Sequence, residues 1–201
     1  DEITLIQIDA HADLRNELEG EKWSHACAAK RSLDMGVGKI LQLGIRAYSK
    51  EEEELFTNNE KIETFLARDI LSPSNNGEKW NSWINKISAL KGPVWITLDI
   101  DGLDGNLVPA TGTPVPGGLY FWQVIETIEK LFENKNATIL GTDINEIVPD
   151  INTPLTQFTA AMLATKTVAS HLSTKYNKNL SKFTENKDHK IEKCNYFQNK
   201  G

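Results

Sequence analysis

The sequence has little of what several classes of protein need. Its two cysteines, Cys27 and Cys194, lie far apart and provide no disulfide framework, which indicates a reducing compartment. Lysine and arginine number 22 against 28 aspartates and glutamates, so a net charge of -6 leaves no basic field for nucleic acid. No apolar run approaches the roughly 20 residues that cross a bilayer. We therefore expect a cytoplasmic globular protein with neither nucleic acid nor a membrane as its partner.

Apolar runs rich in β-branched residues alternate with segments of helical spacing along the chain. This alternation predicts an α/β protein with a mostly parallel sheet and helices on both faces, a three-layer α/β/α fold. Four runs predict buried strands, at 3–9, 39–45, 93–100 and 137–144. A fifth, weaker run lies at 61–67, and a longer helix is predicted at 153–175.

The ends of the chain differ from its middle. Residues 1–173 are expected to form one domain, and 174–201 a polar, loosely ordered tail rich in lysine and asparagine. The first predicted strand begins almost at the first residue, so we expect the amino-terminal part of the fold to be missing.

The first predicted strand ends in the sequence DAHAD, which places Asp9, His11 and Asp13 at every second position. Because side chains alternate along an extended segment, these three groups share one face. Asp99 and Asp101 follow another predicted strand with the same spacing, and Glu146 follows a third. Parallel strands carry such residues to one edge of the sheet.

Five carboxylates gathered at one edge would repel each other, at a cost of several kcal/mol for each uncompensated charge that is partly buried. Bound divalent cations remove that cost. Carboxylate and imidazole ligands without thiolate suit Mn²⁺, with iron, cobalt and nickel as alternatives. This many carboxylates suits two metals about 3.5–4 Å apart, a pair that can activate water.

Each motif taken alone has a simpler interpretation. The Asp-x-His-x-Asp spacing also fits a solvated strand end, and Asp99 and Asp101 could form a turn. The sequence DIDGLDG resembles a calcium loop, but Leu103 and Ala110 occupy positions where an EF-hand needs ligands. The convergence of all these groups at strand ends favours the metal site.

Two further segments bear on the chemistry. The loop VPATGTPVPGGL at 108–119 is rigid, and its small residues would let a substrate approach the metals closely. His25 follows the first strand near the predicted metal edge. A histidine near a helix start is more often structural, but at this position a role in proton transfer is plausible.

The chain contains four motifs in the order and spacing of the ureohydrolases: DAHAD, LDID, TGTP with GGL, and NEIVP. From Ile3 to Ser173 it resembles this arginase and agmatinase family. The resemblance implies a manganese-dependent hydrolase that cleaves a guanidino C–N bond and releases urea, and it suggests a homo-oligomer. It places five residues on metal ligands: Asp9, His11, Asp13, Asp99 and Asp101. It also implies that His25 shuttles protons and that Glu146 holds the guanidinium of a small cationic substrate.

Within the family, the segment after Asp13 looks more like agmatinases, which convert agmatine to putrescine and urea in polyamine biosynthesis. Arginases carry an asparagine two positions after the last aspartate, where this chain has Arg15, and Ala110 also resembles agmatinases. Other ureohydrolases, acting on arginine, guanidinobutyrate, guanidine or formiminoglutamate, remain alternatives. So does a truncated, non-catalytic protein that retains the fold. Zinc deacetylases share this fold but fit the carboxylates poorly.

One family feature is missing from the sequence. The family has a further histidine ligand in a Gly-Gly-Asp-His turn upstream of the first strand, and this chain has no such turn. The resemblance therefore implies one complete metal site (Asp9, His11, Asp99 and Asp101) and a second without its histidine. We expect this chain to bind one metal better than two and to be weakly active or inactive, whereas the full-length protein hydrolyses agmatine.

Overall fold

A parallel sheet forms the centre of the molecule. The computed structural model describes the backbone of residues 2–184 and the side chains of residues 2–174. Within that part of the chain, the sheet has five strands in the order β3-β2-β1-β4-β5, and all neighbours pair in parallel. The strands are β1 (Thr4–Ile8), β2 (Lys39–Ile45), β3 (Ile62–Leu66), β4 (Gly92–Asp99) and β5 (Ala137–Asn145). Each predicted apolar run, including the weaker fifth, forms one of them.

Helices connect the strands and are bounded as follows: α1 (Ala28–Asp34), α2 (Lys50–Asn58), α3 (Ala67–Ile70), α4 (Glu78–Ser88), α5 (Phe121–Glu133) and α6 (Leu155–Thr184). A 3-10 turn at His25–Cys27 precedes α1, and another at Ile100–Gly102 follows β4. The predicted late helix continues to Thr184, ten residues past the expected start of the tail, and residues 185–201 lie outside the described residues. None of the described helices is long and apolar enough to span a membrane.

Two cores bury the opposite faces of the sheet. In the larger one, Trp83 of α4 and Ile128 of α5 pack with Ile96 and other strand residues. In the smaller one, Ala29 of α1 joins a cluster with Leu5, against which α2 also packs. The predicted three-layer α/β/α arrangement is confirmed. The central strand β1 is buried along its whole length, so its end is held firmly between β2 and β4.

Candidate metal centre

The predicted site residues follow three neighbouring strands of the sheet. Asp9 directly follows β1, Asp99 is the last residue of β4, and Glu146 directly follows β5. Residues 7 and 97 are paired in the register of β1 and β4, so alternation places Asp9 and Asp99 on the same face at the carboxyl edge. Three separate segments thus bring acidic side chains to one place.

Two groups of possible ligand atoms lie at this edge. The first consists of Asp9, His11 and Asp101, and the second of Asp9, Asp13 and Asp99; within each group the ligand atoms lie within 4.8 Å of one another. Asp9 belongs to both, so its carboxylate stands between the two groups. Asp99 is grouped with Asp13, whereas the family resemblance assigned it to the site of His11 and Asp101.

Hydrogen bonds fix the carboxylates of the first group. Asp9 Oδ1 accepts from the backbone N–H of His11 at 2.7 Å, and Asp9 Oδ2 accepts from Gln7 Nε2 at 2.8 Å. Asp101 Oδ1 accepts from the backbone N–H of Ala10 at 3.2 Å. Asp9 and Asp101 are each 1% exposed, so their charges need compensation from within the protein or from a bound cation.

The second group is electrostatically crowded. Burial raises the pKa of Asp13 to about 9, with the charges of Asp9 and Asp99 adding to the shift. Burial also raises the pKa of Asp99 to about 8, with the charges of Asp9 and Asp101 adding to the shift. The pKa of Asp9 is raised chiefly by burial. Carboxyl groups that hold protons at neutral pH show that this place favours added positive charge.

His11 supplies part of that charge in the first group. Its Nδ1 lies 3.2 Å from Asp101 Oδ2 and 3.5 Å from Asp9 Oδ1. Hydrogen bonds with Asp101 and then Asp9 raise the pKa of His11 to about 10. Burial alone would raise the pKa of Asp101, but the contacts of His11 and the Ala10 N–H lower it overall. A divalent cation between these atoms would take the place of the imidazolium proton.

The donors at this edge fit divalent cations. Both groups offer carboxylate oxygens, the first adds an imidazole nitrogen, and neither contains a thiolate. Oxygen donors with imidazole suit Mn²⁺ and neighbouring first-row metals, and the shared Asp9 suits a pair of ions.

His25 and Glu146 line the same space as the two groups. A cavity of about 620 Å³ is bordered by both residues together with Asp9, Asp13 and Asp99, and a second cavity of about 240 Å³ by both together with His11 and Asp101. His25 is exposed, and Glu146 is half-buried. The predicted proton-transfer and guanidinium-binding residues therefore lie beside the predicted ligands.

Two of these residues have an unusual backbone. Asp13 and Glu146 have φ angles of 54° and 62°, in the left-handed region that non-glycine residues rarely adopt. Such a conformation costs of order 1–3 kcal/mol and persists when the surroundings hold it. Here the backbone N–H of Lys30 donates to the Asp13 carbonyl at 3.0 Å, and Thr111 Oγ1 donates to the Glu146 carbonyl at 2.9 Å.

The loop that carries Asp101 lies directly against the end of β1. A Cβ atom on Gly102 would stand 2.8 Å from the backbone nitrogen of Asp9, closer than such atoms approach in proteins, and 3.1 Å from the carbonyl carbon of Ile8. Glycine is therefore required where the Asp9 and Asp101 segments meet.

Arg46 holds this loop from the other side. In the aspartate loop, its Nη2 donates to the carbonyls of Asp101 at 2.7 Å and Leu103 at 3.2 Å. In the loop 108–119, its Nε donates to the carbonyls of Val115 and Pro116, each at 3.1 Å. Arg46 therefore clamps the aspartate loop to the loop 108–119.

Several residues outside the predicted set support the site. Glu52 is buried and accepts from the backbone N–H of Leu14 at 3.0 Å, which fixes the chain just after Asp13. A Ser-x-x-Glu capping pattern at Ser49 could have indicated it, because both reciprocal hydrogen bonds are present. Arg46, Gln7 and Gln42 gave no sequence signal.

The crowding predicts how stability depends on pH. Asp13 and Asp99 have pKa values raised to about 9 and about 8 from 3.8, and His11 has one raised to about 10 from 6.5. Between its unfolded and its folded pKa, each group keeps in the folded state a proton that it has lost in the unfolded state. The stabilisation that is present at low pH is therefore lost as pH rises. We expect the metal-free chain to melt at a lower temperature at pH 9 than at pH 6.

Thermal denaturation in the presence of a chelator measures this dependence. Asp13→Asn is the control, because it removes one of the groups with a raised pKa and should make the melting temperature less sensitive to pH. A melting temperature that is equal or higher at pH 9 would contradict the assigned pKa shifts.

Comparisons with known proteins agree in pointing to one family. The sequence model of the Arginase family matches residues 1–170. An agmatinase of Pyrococcus horikoshii is 39% identical over 160 residues, which make up 80% of this chain and 52% of that protein. An N(1)-aminopropylagmatine ureohydrolase of Thermococcus kodakarensis is also 39% identical, over 80% of this chain and 51% of that protein.

The structural comparison gives the same result. The agmatine ureohydrolase of Thermoplasma volcanium superposes with a TM-score of 0.75 and 32% sequence identity, over 89% of this chain and 57% of that one. The chain spans about half the length of the curated relatives it matches.

Proposed function

The chain belongs to the Arginase family, and we propose that the protein hydrolyses the C–N bond of a guanidino group, with agmatine as substrate and putrescine and urea as products. The observation that carries this proposal is the position of Asp9, which belongs to both groups of ligand atoms at the carboxyl edge. A shared carboxylate between two donor sets suits a pair of metal ions.

The two groups would hold the metals unequally. Asp9, His11 and Asp101 offer an imidazole with two carboxylates, while Asp13 and Asp99 complete a group of carboxylates only. The family resemblance suggests Mn²⁺, which accepts both kinds of donor. When bound, the metals would activate water as a nucleophile at neutral pH.

The residues of this chain have distinct roles in the proposed reaction. Glu146 binds the cationic guanidinium through its carboxylate, at the border of both cavities. Asp13, also on that border, stabilises the reacting carbon as it becomes tetrahedral. His25 is exposed beside them and protonates the leaving amine.

Agmatine is favoured over substrates with a carboxylate at the far end. Arg15 lines the smaller cavity and could attract such a carboxylate, but its Nε lies 3.6 Å from Glu52 Oε2. The Glu52 carboxylate thus opposes the attraction of Arg15 for a second carboxylate. The names of the two relatives, an agmatinase and an N(1)-aminopropylagmatine ureohydrolase, support the same substrate class.

The test is urea release from agmatine, arginine, guanidinobutyrate and guanidine by the Mn²⁺-loaded chain, alone and joined to an upstream segment carrying the Gly-Gly-Asp-His turn. We expect the joined protein to release urea fastest from agmatine. If guanidinobutyrate is hydrolysed faster than agmatine, guanidinobutyrate becomes the assigned substrate. The two molecules differ in the charge of the end away from the guanidino group. Manganese binding without urea release from any of them would favour a non-catalytic protein.

His25→Ala tests the proton-transfer role. We expect turnover of the active protein to fall by about 10²- to 10⁴-fold, the usual contribution of a general acid, while the metal content stays the same. Urea release and atomic absorption measure the two quantities.

His171→Ala is the matched control. His171 lies on α6, with its ring 6.0 Å from that of Phe132, and borders neither cavity of the candidate site, so its loss should leave turnover unchanged. Loss of metal from His25→Ala would show that His25 acts as a ligand or supports one.

A further inference from the structure

A row of polar residues crosses the buried sheet just before the candidate metal centre. The strand register aligns Thr64 of β3, Gln42 of β2, Gln7 of β1, Thr97 of β4 and Asp143 of β5. Most residues of the central strands are apolar, and Gln42 and Gln7 are 0% and 3% exposed. Buried amides need hydrogen-bond partners, so their contacts show what the row does.

The contacts form one directed chain that ends on Asp9. Thr64 Oγ1 donates to Gln42 Oε1 at 2.7 Å, Gln42 Nε2 donates to Gln7 Oε1 at 2.8 Å, and Gln7 Nε2 donates to Asp9 Oδ2 at 2.8 Å. The second proton of Gln42 Nε2 goes to the Ala12 carbonyl at 2.7 Å.

The direction of this chain is fixed. A carbonyl oxygen can only accept, so the Ala12 carbonyl holds the NH₂ group of Gln42 toward itself and toward Gln7. Gln7 must then turn its oxygen to Gln42 and its NH₂ group to Asp9. Reversing either amide would place two donors or two acceptors face to face in a buried place.

This arrangement leaves Asp9 suited to bridge two cations. An ionised carboxylate has about four lone-pair positions, two on each oxygen. The His11 N–H occupies one position on Oδ1, and Gln7 occupies one on Oδ2. His11 Nδ1 also contacts Oδ1 at 3.5 Å. Once a cation takes the place of its proton, one position remains on each oxygen for the two groups of ligand atoms that Asp9 joins.

We propose that Gln7 is a positioning residue for the metal centre: it holds the Asp9 carboxylate between the two groups of ligand atoms. Gln42 and Thr64 fix the orientation of the Gln7 amide. The inference rests on the proposed function, because it assumes that Asp9 binds metal. Partners of a metal ligand commonly change metal affinity by about 10- to 100-fold when they are removed.

The row could instead only satisfy buried groups and fix the register of the sheet. The two threonines at its ends separate these possibilities. Thr64 connects to Asp9 through the two amides, whereas Thr97 Oγ1 donates to Asp143 Oδ1 at 2.7 Å and lies outside the chain to Asp9. Both are half-buried, so Thr64→Val and Thr97→Val are matched substitutions.

The experiment measures the dissociation constant of Mn²⁺ by isothermal titration and the melting temperature for each variant. Gln7→Met keeps the length of the side chain but removes the donor, and we expect Mn²⁺ to bind about 10- to 100-fold more weakly. Thr64→Val leaves residue 7 as glutamine but removes the donor that orients the row, so it should weaken Mn²⁺ binding a few-fold. Thr97→Val should leave the dissociation constant unchanged, whatever its melting temperature.

The outcomes separate the two proposals. If wild type binds Mn²⁺ and both Gln7→Met and Thr64→Val bind it as tightly, Gln7 has no positioning role, while the proposed function stands. If Gln7→Met does not fold, Thr64→Val against Thr97→Val decides: equal dissociation constants overturn the inference. If wild type binds no Mn²⁺, the metal centre itself is refuted, and the inference with it.

Discussion

Asp99→Ala is expected to abolish tight binding of a divalent cation at the second group of ligand atoms, and urea release with it. Asp99 shares the second group with Asp9 and Asp13, and without it two carboxylates remain to hold an ion there. The affinity should fall by more than about 100-fold, beyond the loss caused by removing a partner of a ligand. Isothermal titration with Mn²⁺ and metal analysis after gel filtration measure the affinity and the stoichiometry.

Asp143→Ala is the matched control for this variant. Asp143 lies on the neighbouring strand and its carboxylate accepts from Trp95 Nε1 at 2.6 Å and Thr97 Oγ1 at 2.7 Å, but it belongs to neither group of ligand atoms. It should keep its metal. Unchanged affinity in Asp99→Ala would refute the assignment of Asp99 as a ligand.

Unfolding cannot explain the expected loss. Burial and the charges of Asp9 and Asp101 raise the pKa of Asp99 to about 8, so its ionised form opposes folding of the metal-free chain at alkaline pH. Removing it should raise the melting temperature under those conditions while it removes metal binding. Stability and metal affinity would then move in opposite directions.

Arg46→Met is expected to have the largest effect on stability. The substitution leaves the carbonyls of two loops without their donor, among them those of Asp101 and Val115. The free energy of unfolding should fall by about 2–3 kcal/mol, the size of one or two hydrogen bonds to a charged group. For a domain of this size the melting temperature would fall by roughly 4–12 °C.

Denaturant unfolding of Arg46→Met and Arg68→Met measures this effect. Arg68 is exposed, and its contact with Asp69 is a surface ion pair at 3.5 Å, so its loss should change stability little. Equal stability of the two variants would show that the carbonyls around Arg46 are satisfied equally well by water.

The sheet and the convergence of acidic residues at its edge could be predicted from the sequence because each follows from local pattern. Apolar runs specify buried strands, and period-two spacing places Asp9, His11 and Asp13 on one face. The parallel arrangement then brings Asp99 to the same edge, since parallel strands begin and end together.

The support around the site could not be predicted, because it depends on distant partners. Arg46 bonds to carbonyls as far as 70 residues away, and backbone acceptors leave no mark in a sequence. Gln7 and Gln42 look like ordinary polar residues in strands until the register places them side by side. The left-handed backbone of Asp13 and Glu146 is imposed by neighbours, since neither residue is glycine.

The spacing between the two aspartates of the first group depends on a missing methyl group. At Gly102 the backbone of one loop touches the backbone at the end of β1, and a side chain of any size would wedge the two segments apart. Gly102, which has no side chain of its own, therefore sets how close together Asp9 and Asp101 lie when they bind the same ion.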